Sequence, residues 1–251
     1  PIVKKYQPNC LFYHNNQLAE ARWGGSESGT VGYPCWSTFT YPSTGNGEST
    51  YKEISENKNA LLKNGDPSGK YWVPAMADSP LRGYKGRHEW FWEPDDEQHI
   101  FPLNDLVDMY YKSVGRNSTL LLGLTPDNRG LMPEADRQRL IEFGTAIKQR
   151  FDNPIGTTAG NAKILEINLG KVTSINQFLI QENIANGHCV KRFSIQVLTN
   201  GKWKTIINGS SIGNKYIQLL ENPVETKKVR FVIEDVFASP EITQFSVYQV
   251  N

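Results

Sequence analysis

The chain has no uninterrupted run of 18 or more apolar residues, so its sequence contains no membrane-spanning helix. Its first residues, Pro1-Ile2-Val3-Lys4-Lys5, lack the apolar core of a signal peptide, although a targeting segment removed earlier would leave the same start. Cysteine is scarce: Cys10, Cys35 and Cys189 are an odd number at spacings that fit neither a zinc site nor a disulfide framework, and they read as small buried apolar residues. An excess of one charge is also missing. With 27 Lys and Arg against 26 Asp and Glu there is no basic field for nucleic acid or an anionic membrane, so the expected partner is a neutral molecule. Two sequons, at Asn117 and Asn208, are of a kind that arises often by chance.

What is present is enough chain, 251 residues, for one large domain or two smaller ones. The pattern favours two, divided at 1–151 and 152–251. In the first part, Cys10-Leu11-Phe12-Tyr13-His14 followed by Asn15-Asn16, Tyr71 to Ala77, and Leu120 to Leu124 are short apolar runs of the kind that form buried parallel strands. Leu103, Leu106, Val107, Tyr110, Tyr111 and Val114 repeat at helical spacing, with Gly115 placed as a C-cap, and a second helix is predicted from about Pro133 to Phe151. Strand, loop and helix in repetition mean a parallel α/β layout. The long segment from Gly83 to Pro102 suits a loop at the C-terminal face of a β/α barrel, where such folds keep their active sites.

Around Asp152 to Gly160 the composition changes to that of a linker, and the apolar period drops from 3.6 to 2. Phe193, Ile195 and Val197 alternate with polar residues, and Asn200-Gly201 makes a hairpin turn. Trp203, Thr205 and Ile207, then Val229, Phe231 and Ile233, then Val247 and Gln249 around Tyr248, continue the alternation. An antiparallel β-sandwich of about eight strands follows.

The stretch Ala21-Arg22-Trp23-Gly24-Gly25-Ser26-Glu27-Ser28-Gly29 sets one carboxylate among glycines, an arginine and a tryptophan. Glycines allow close approach of backbone to ligand, the indole offers an apolar face, and the guanidinium a fixed charge. Glu27 reads as a working acid, against the alternative of a surface carboxylate on a solvated turn. Arg22 either anchors its loop or reaches a sugar hydroxyl; Trp36 either lines the pocket or packs in the core. Glu89, Glu93, Asp95, Asp96 and Glu97 have no metal-loop spacing and read as a solvated loop and first helical turn. Asp78 and Arg82 are candidates for a structural ion pair.

Taken in order, Arg22 to Glu27, Cys35-Trp36-Ser37-Thr38, Trp72-Val73-Pro74-Ala75, Asp78-Ser79-Pro80-Leu81-Arg82, and Tyr110 to Asn117 with the Leu120-Leu121-Leu122 strand resemble the α-L-fucosidases of glycoside hydrolase family 29. The last hundred residues, with Leu169-Gly170, Trp203 and Pro240 to Phe245, resemble the discoidin-like, galactose-binding-like sandwich found after the barrel in many of these enzymes. The fold implied is the C-terminal part of a TIM-like (β/α) barrel, α/β, followed by an all-β antiparallel sandwich. A complete barrel takes about 250 residues, and roughly 150 precede the sandwich.

The resemblance implies retaining hydrolysis of a terminal α-L-fucose by two carboxyl groups about 5–5.5 Å apart. Glu27 matches the family's acid/base glutamate, with Gly25-Ser26 where the family's motif usually has Gly-Asn. Trp90, in His88-Glu89-Trp90-Phe91-Trp92, is similar to an aromatic that packs beside the fucose ring or its methyl group. Arg22, Trp36 and Trp90 are therefore the expected substrate-binding residues. The attacking aspartate belongs to an earlier barrel strand, and no Asp precedes Glu27; the chain alone is expected to be inactive without an N-terminal barrel segment as partner. No metal or other cofactor is implied. The expected ligands are fucosylated oligosaccharides or glycoconjugates, α-1,3- or α-1,4-linked, and the expected location is periplasmic or secreted. The competing reading is a non-catalytic carbohydrate-binding or structural remnant of the same scaffold.

Overall fold

A computed structural model describes residues 2–13, 19–41, 61–87 and 90–250. In the first part, three strands form a parallel sheet in the order β1 (Arg22–Trp23), β4 (Ala75–Pro80), β5 (Ser118–Gly123). A two-stranded antiparallel ribbon, β2 (Thr38–Phe39) with β3 (Tyr71–Trp72), lies before β4. The expected single strand over Tyr71 to Ala77 is thus two. Val73 and Pro74 separate a pair that serves the ribbon from a strand that serves the sheet, and proline, lacking an N–H, cannot continue a ladder on both sides. The first predicted strand is reduced among the described residues to one parallel bridge, Tyr13 with Ala21; His14, Asn15 and Asn16 lie outside the described residues.

Three α-helices are described, α1 (Ile2–Tyr6), α2 (Leu103–Lys112) and α3 (Glu134–Phe151), with short 3-10 turns at Tyr84–Gly86 and Glu97–His99. Helix α2 buries Leu106, Val107 and Met109 and ends sooner than Val114, where Ser113 Oγ donates to Met109 O at 2.6 Å. Gly115 is not a left-handed cap. Its lack of a side chain is needed for space, because a Cβ there would lie 2.5 Å from Tyr111 O and 3.0 Å from the Ile217 side chain.

The register of the parallel sheet sorts its faces. Ala77, Leu120 and Ser79, Leu122 point to one side, where Leu120 and Leu122 join Leu81, Leu106, Met109, Leu140 and Phe143 under α2 and α3. Trp23, Met76 and Thr119, with Asp78 and Leu121, take the other side, which in a β/α barrel is the interior.

The second part is a six-stranded antiparallel sheet folded on itself, ordered β6 (Gly156–Gly160), β11 (Ile242–Tyr248), β7 (Ile164–Glu182), β10 (Tyr216–Val236), β8 (Val190–Thr199), β9 (Lys202–Gly209). Strands β7 and β10 are 19 and 21 residues long and pass through both layers. One layer holds β6, β11, the C-terminal half of β7 and the N-terminal half of β10; the other holds the remaining halves with β8 and β9. Counted by halves, eight segments enclose a core that includes Ile175, Phe178, Ile195, Phe231 and Phe245.

Gly156 to Gly160, expected as linker, is an edge strand paired with β11. Small residues are required there, since a Cβ at Gly156 would lie 2.4 Å from Ile167. Asn200 and Gly201 take φ of 50° and 72°, the left-handed pair of a two-residue hairpin. In β9 the expected Trp203, Thr205, Ile207 face is broken: a register shift between Ile195 and Gln196 leaves Ile206 extra, so Thr205 is exposed while Ile207 is buried.

The two parts meet through a mixed seam. Leu179, Ile217 and Tyr248 pack on Tyr110, Tyr111 and Phe151. Asn117, at φ 60°, donates from Nδ2 to Cys35 O at 3.0 Å and accepts from Asn214 N at 2.9 Å. It is buried, so this sequon asparagine is a structural bridge. Ser37 N donates to His188 Nε2 at 2.9 Å, and Ser211 Oγ to Cys35 O at 2.8 Å. Cys35 and Cys189 are buried and Cys10 is half-buried, all with free thiols.

Candidate active site

Glu27 lies four residues beyond the end of β1, on a turn tied to β4 at both ends. Gly24 N donates to Met76 O at 2.8 Å and Gly29 N to Asp78 O at 2.8 Å. The glycines answer separate needs. A Cβ at Gly24 would come 2.9 Å from Met76 O, whereas Gly25 and Gly29 take φ of 86° and 67°. The turn thereby carries Glu27 back over the C-terminal ends of the strands.

Five aromatic and acidic groups converge there. Trp90 Nε1 donates to Glu27 Oε2 at 3.1 Å. Its ring covers Gly123 at the end of β5, where a Cβ would lie 2.3 Å from the indole. Trp23 Nε1 donates to Asp78 Oδ1 at 2.7 Å. Burial raises the Asp78 carboxyl above its ordinary value and the charge of Glu27 adds to this, while the Trp23 N–H opposes it. Tyr13, half-buried, is pushed up strongly, first by burial and then by the charges of Asp78 and Glu27. The site is thus two carboxyls, each holding an indole N–H, beside a phenol, at the strand ends where β/α barrels react.

Of the four residues singled out by sequence, the structure brings together Glu27 and Trp90. Arg22 is corrected from sugar contact to loop anchor. It is 0% exposed, and its donors go to Leu62 O at 3.0 Å, Val73 O at 2.6 Å and Trp36 O at 2.8 Å, with the ring of Phe39 5.5 Å away. The reason is direction: Arg22 and Trp23 are successive strand residues and point to opposite faces, and Trp23 has the interior one. Trp36 is likewise corrected to core packing. It is 4% exposed, edge-on to His188 at 5.2 Å and Phe237 at 5.7 Å, near the start of the strands rather than their ends.

The Asp78–Arg82 pair does not form, because β4 ends at Pro80 and Arg82 lies in the turn beyond it. Asp78 turns inward to Trp23, and Arg82 donates from Nη2 and Nε to Asp136 Oδ1 at 2.8 and 3.1 Å. In the acidic run, Asp96 is not solvated; it is 2% exposed and paired with Arg87 and His99. His88 and Glu89 lie outside the described residues. Among the described residues, no group of three or more His, Cys, Asp or Glu is arranged to hold a metal, and no helix is long and apolar enough to cross a membrane.

Sequence reasoning missed Tyr13, Trp23's partner and the inward role of Asp78. The pairing of β1 with β4 places Trp23 beside Met76, two residues from Asp78 on the same face, so the strand alternation held the signal once that pairing was known.

Comparison with known proteins fits this geometry. The family profile of the F5/8 type C domain matches residues 144–245. The chain is 26% identical to α-L-fucosidase 1 of Arabidopsis thaliana across 98% of its own length and 53% of that protein's. A Bacteroides thetaiotaomicron crystal structure assigned as an α-L-fucosidase superposes with a TM-score of 0.91 at 54% identity, over all of this chain and 56% of that one. A glycoside hydrolase 29 family member from an unknown rumen bacterium gives 0.83 at 30% identity, over all of this chain and 44% of that one. The chain therefore spans about half the length of the relatives it matches. By sequence and by fold the chain is similar to the C-terminal part of glycoside hydrolase family 29 α-L-fucosidases, the end of the barrel and the discoidin-like sandwich.

Proposed function

We propose that this chain supplies the acid/base half of a retaining α-L-fucosidase site, with Glu27 protonating the departing glycosidic oxygen and then taking a proton from water. The observation that carries the reading is the Glu27 carboxylate held by the Trp90 indole N–H at 3.1 Å, at the C-terminal ends of parallel strands. Related proteins named as α-L-fucosidases support the sugar. In the reaction, an aspartate from a preceding barrel segment attacks the anomeric carbon as Glu27 protonates the leaving group. Glu27 then activates the water that releases fucose. Trp90 both orients Glu27 and presents its ring to the apolar side of the sugar. Asp78, kept in place by Trp23, offers a carboxyl on the interior face to a sugar hydroxyl.

The linkage favoured is α-1,3 or α-1,4, on branched glycans, and the location that goes with such substrates is periplasmic or secreted. Hydrolysis of an aryl α-L-fucoside is measured for the chain alone and with a relative's N-terminal barrel segment added. Activity restored by the segment supports the reading. Absence of activity in both, with sugar binding retained, favours the non-catalytic alternative. In the active form, Glu27→Gln is expected to lose about 10² to 10⁴ in rate on substrates with poor leaving groups and far less on nitrophenyl fucosides; equal losses on both sink the assignment.

A further inference from the structure

Trp90 reaches Glu27 from a loop, and a loop aims an indole well only if its ends are fixed. The segment from Arg87 to Asp96 is closed at its base by charge. Asp96 Oδ1 accepts from Arg87 Nη1 and meets His99 Nδ1 at 2.6 Å. Asp96 Oδ2 is buried without a hydrogen bond, 3.8 Å from Arg82 Nη1, which is in the same condition. Arg87 Nη2 also meets Glu93 at 2.8 Å. Arg82 runs on to Asp136, in the first turn of α3. An unbroken line of charge thus connects α3, the end of β4 and both ends of the segment that carries Trp90. The preceding residue, Asp95, sits at φ 56°, a conformation that costs a non-glycine residue energy and persists where its surroundings impose it.

A buried cluster of this kind contributes little net stability, because desolvation offsets attraction; what it fixes is geometry. We infer that Asp96 is a positioning residue for Glu27: by clasping the loop to Arg87, His99 and Arg82 it holds the Trp90 indole N–H on the Glu27 carboxylate. Without the Asp96 charge, Arg87 loses its innermost acceptor, the base of the loop opens, and the Trp90 N–H withdraws. For activity this inference rests on the reading of Glu27 as acid/base; for structure it does not.

The test has two arms. In the chain itself, six tryptophans give six indole ¹H–¹⁵N signals, and Trp90→Phe identifies one of them. Glu27→Gln and Asp96→Asn are each expected to shift the Trp90 signal and to leave that of Trp203, in the sandwich, in place. A Trp90 signal that moves in Glu27→Gln and stays put in Asp96→Asn overturns the inference. In the form that hydrolyses aryl fucosides, Asp96→Asn is expected to lose about tenfold on alkyl fucosides and less than about threefold on nitrophenyl fucosides. The double variant with Trp90→Phe should be no worse than Trp90→Phe alone. Equal losses on both substrates, or additive losses, overturn it. If Glu27→Gln itself shows no dependence on the leaving group, the functional reading fails while the spectroscopic arm still decides positioning. Should Asp96→Asn not fold, Arg87→Lys, which keeps the charge and loses the fork, is read against the same outcomes.

Discussion

The two parts of the molecule are held together by different physics. The sandwich has one continuous apolar core running through both layers, with Phe178, Ile195, Phe231 and Phe245 at its centre. Among the described residues of the first part, the apolar contacts fall into several small clusters, and polar groups join them. Arg22 ties three backbone segments, and the Arg82–Asp136 pair ties β4 to α3. A continuous apolar core relies little on directional bonds at its centre. In the first part the loops are fixed by directional bonds instead.

The largest effect expected from testing this contrast is in the sandwich. Phe231→Ala should cost about 3–5 kcal/mol in denaturant unfolding, the range for losing a fully buried aromatic. A loss below about 1 kcal/mol would show that the core is not continuous. Next, Arg22→Met should cost about 2–3 kcal/mol, because it leaves three buried carbonyls without donors. Hydrogen exchange should show that loss confined to residues before 152, with β8 and β10 still protected; uniform loss would erase the distinction.

Stability should respond to pH in two opposite senses, through Glu182 within the sandwich and His188 at the seam. Burial raises Glu182 to about 7, against the Val190 and Cys189 N–H groups that favour its charge. The fold therefore binds an extra proton relative to the unfolded chain between pH 4.5 and 7, and stability should fall as pH rises through that window. Burial lowers His188 to about 4, so its neutral form is favoured, and stability should fall as pH drops from 6.5 towards 4. Thermal melts of Glu182→Gln should lose the first slope and keep the second; retention of both would assign the slope to other groups. The smallest effect is at the hairpin, where Gly201→Ala should cost about 1 kcal/mol, since φ is 72° there. No change in melting would mean that the turn rearranges freely.

The same contrast explains what the sequence could reveal. In the sandwich the 2-residue period is the packing itself, so Phe193, Ile195 and Val197 announced their face, and Asn200-Gly201 announced its turn. The exception, Ile206, is a bulge, set by the partner strand rather than by its neighbours in sequence. At the site, Glu27 and Trp90 were singled out by a family pattern, and the structure brings them within hydrogen-bond distance. Arg22 was misplaced in the sugar pocket because its acceptors lie 14, 40 and 51 residues away. Asp96 looked like one more surface acid because the residues that bury it, Arg82 and His99, are assembled by the end of β4 and a short helical turn. Local composition cannot distinguish a solvated carboxylate from one enclosed by distant cations.

Strands β7 and β10 each contribute one half to either layer of the sandwich. Neither layer can therefore peel away while the other persists, because pulling one apart breaks backbone that the other is built on. The module behaves as a single cooperative unit, resisting partial opening and stepwise proteolysis, and any stress it bears is released all at once rather than by fraying.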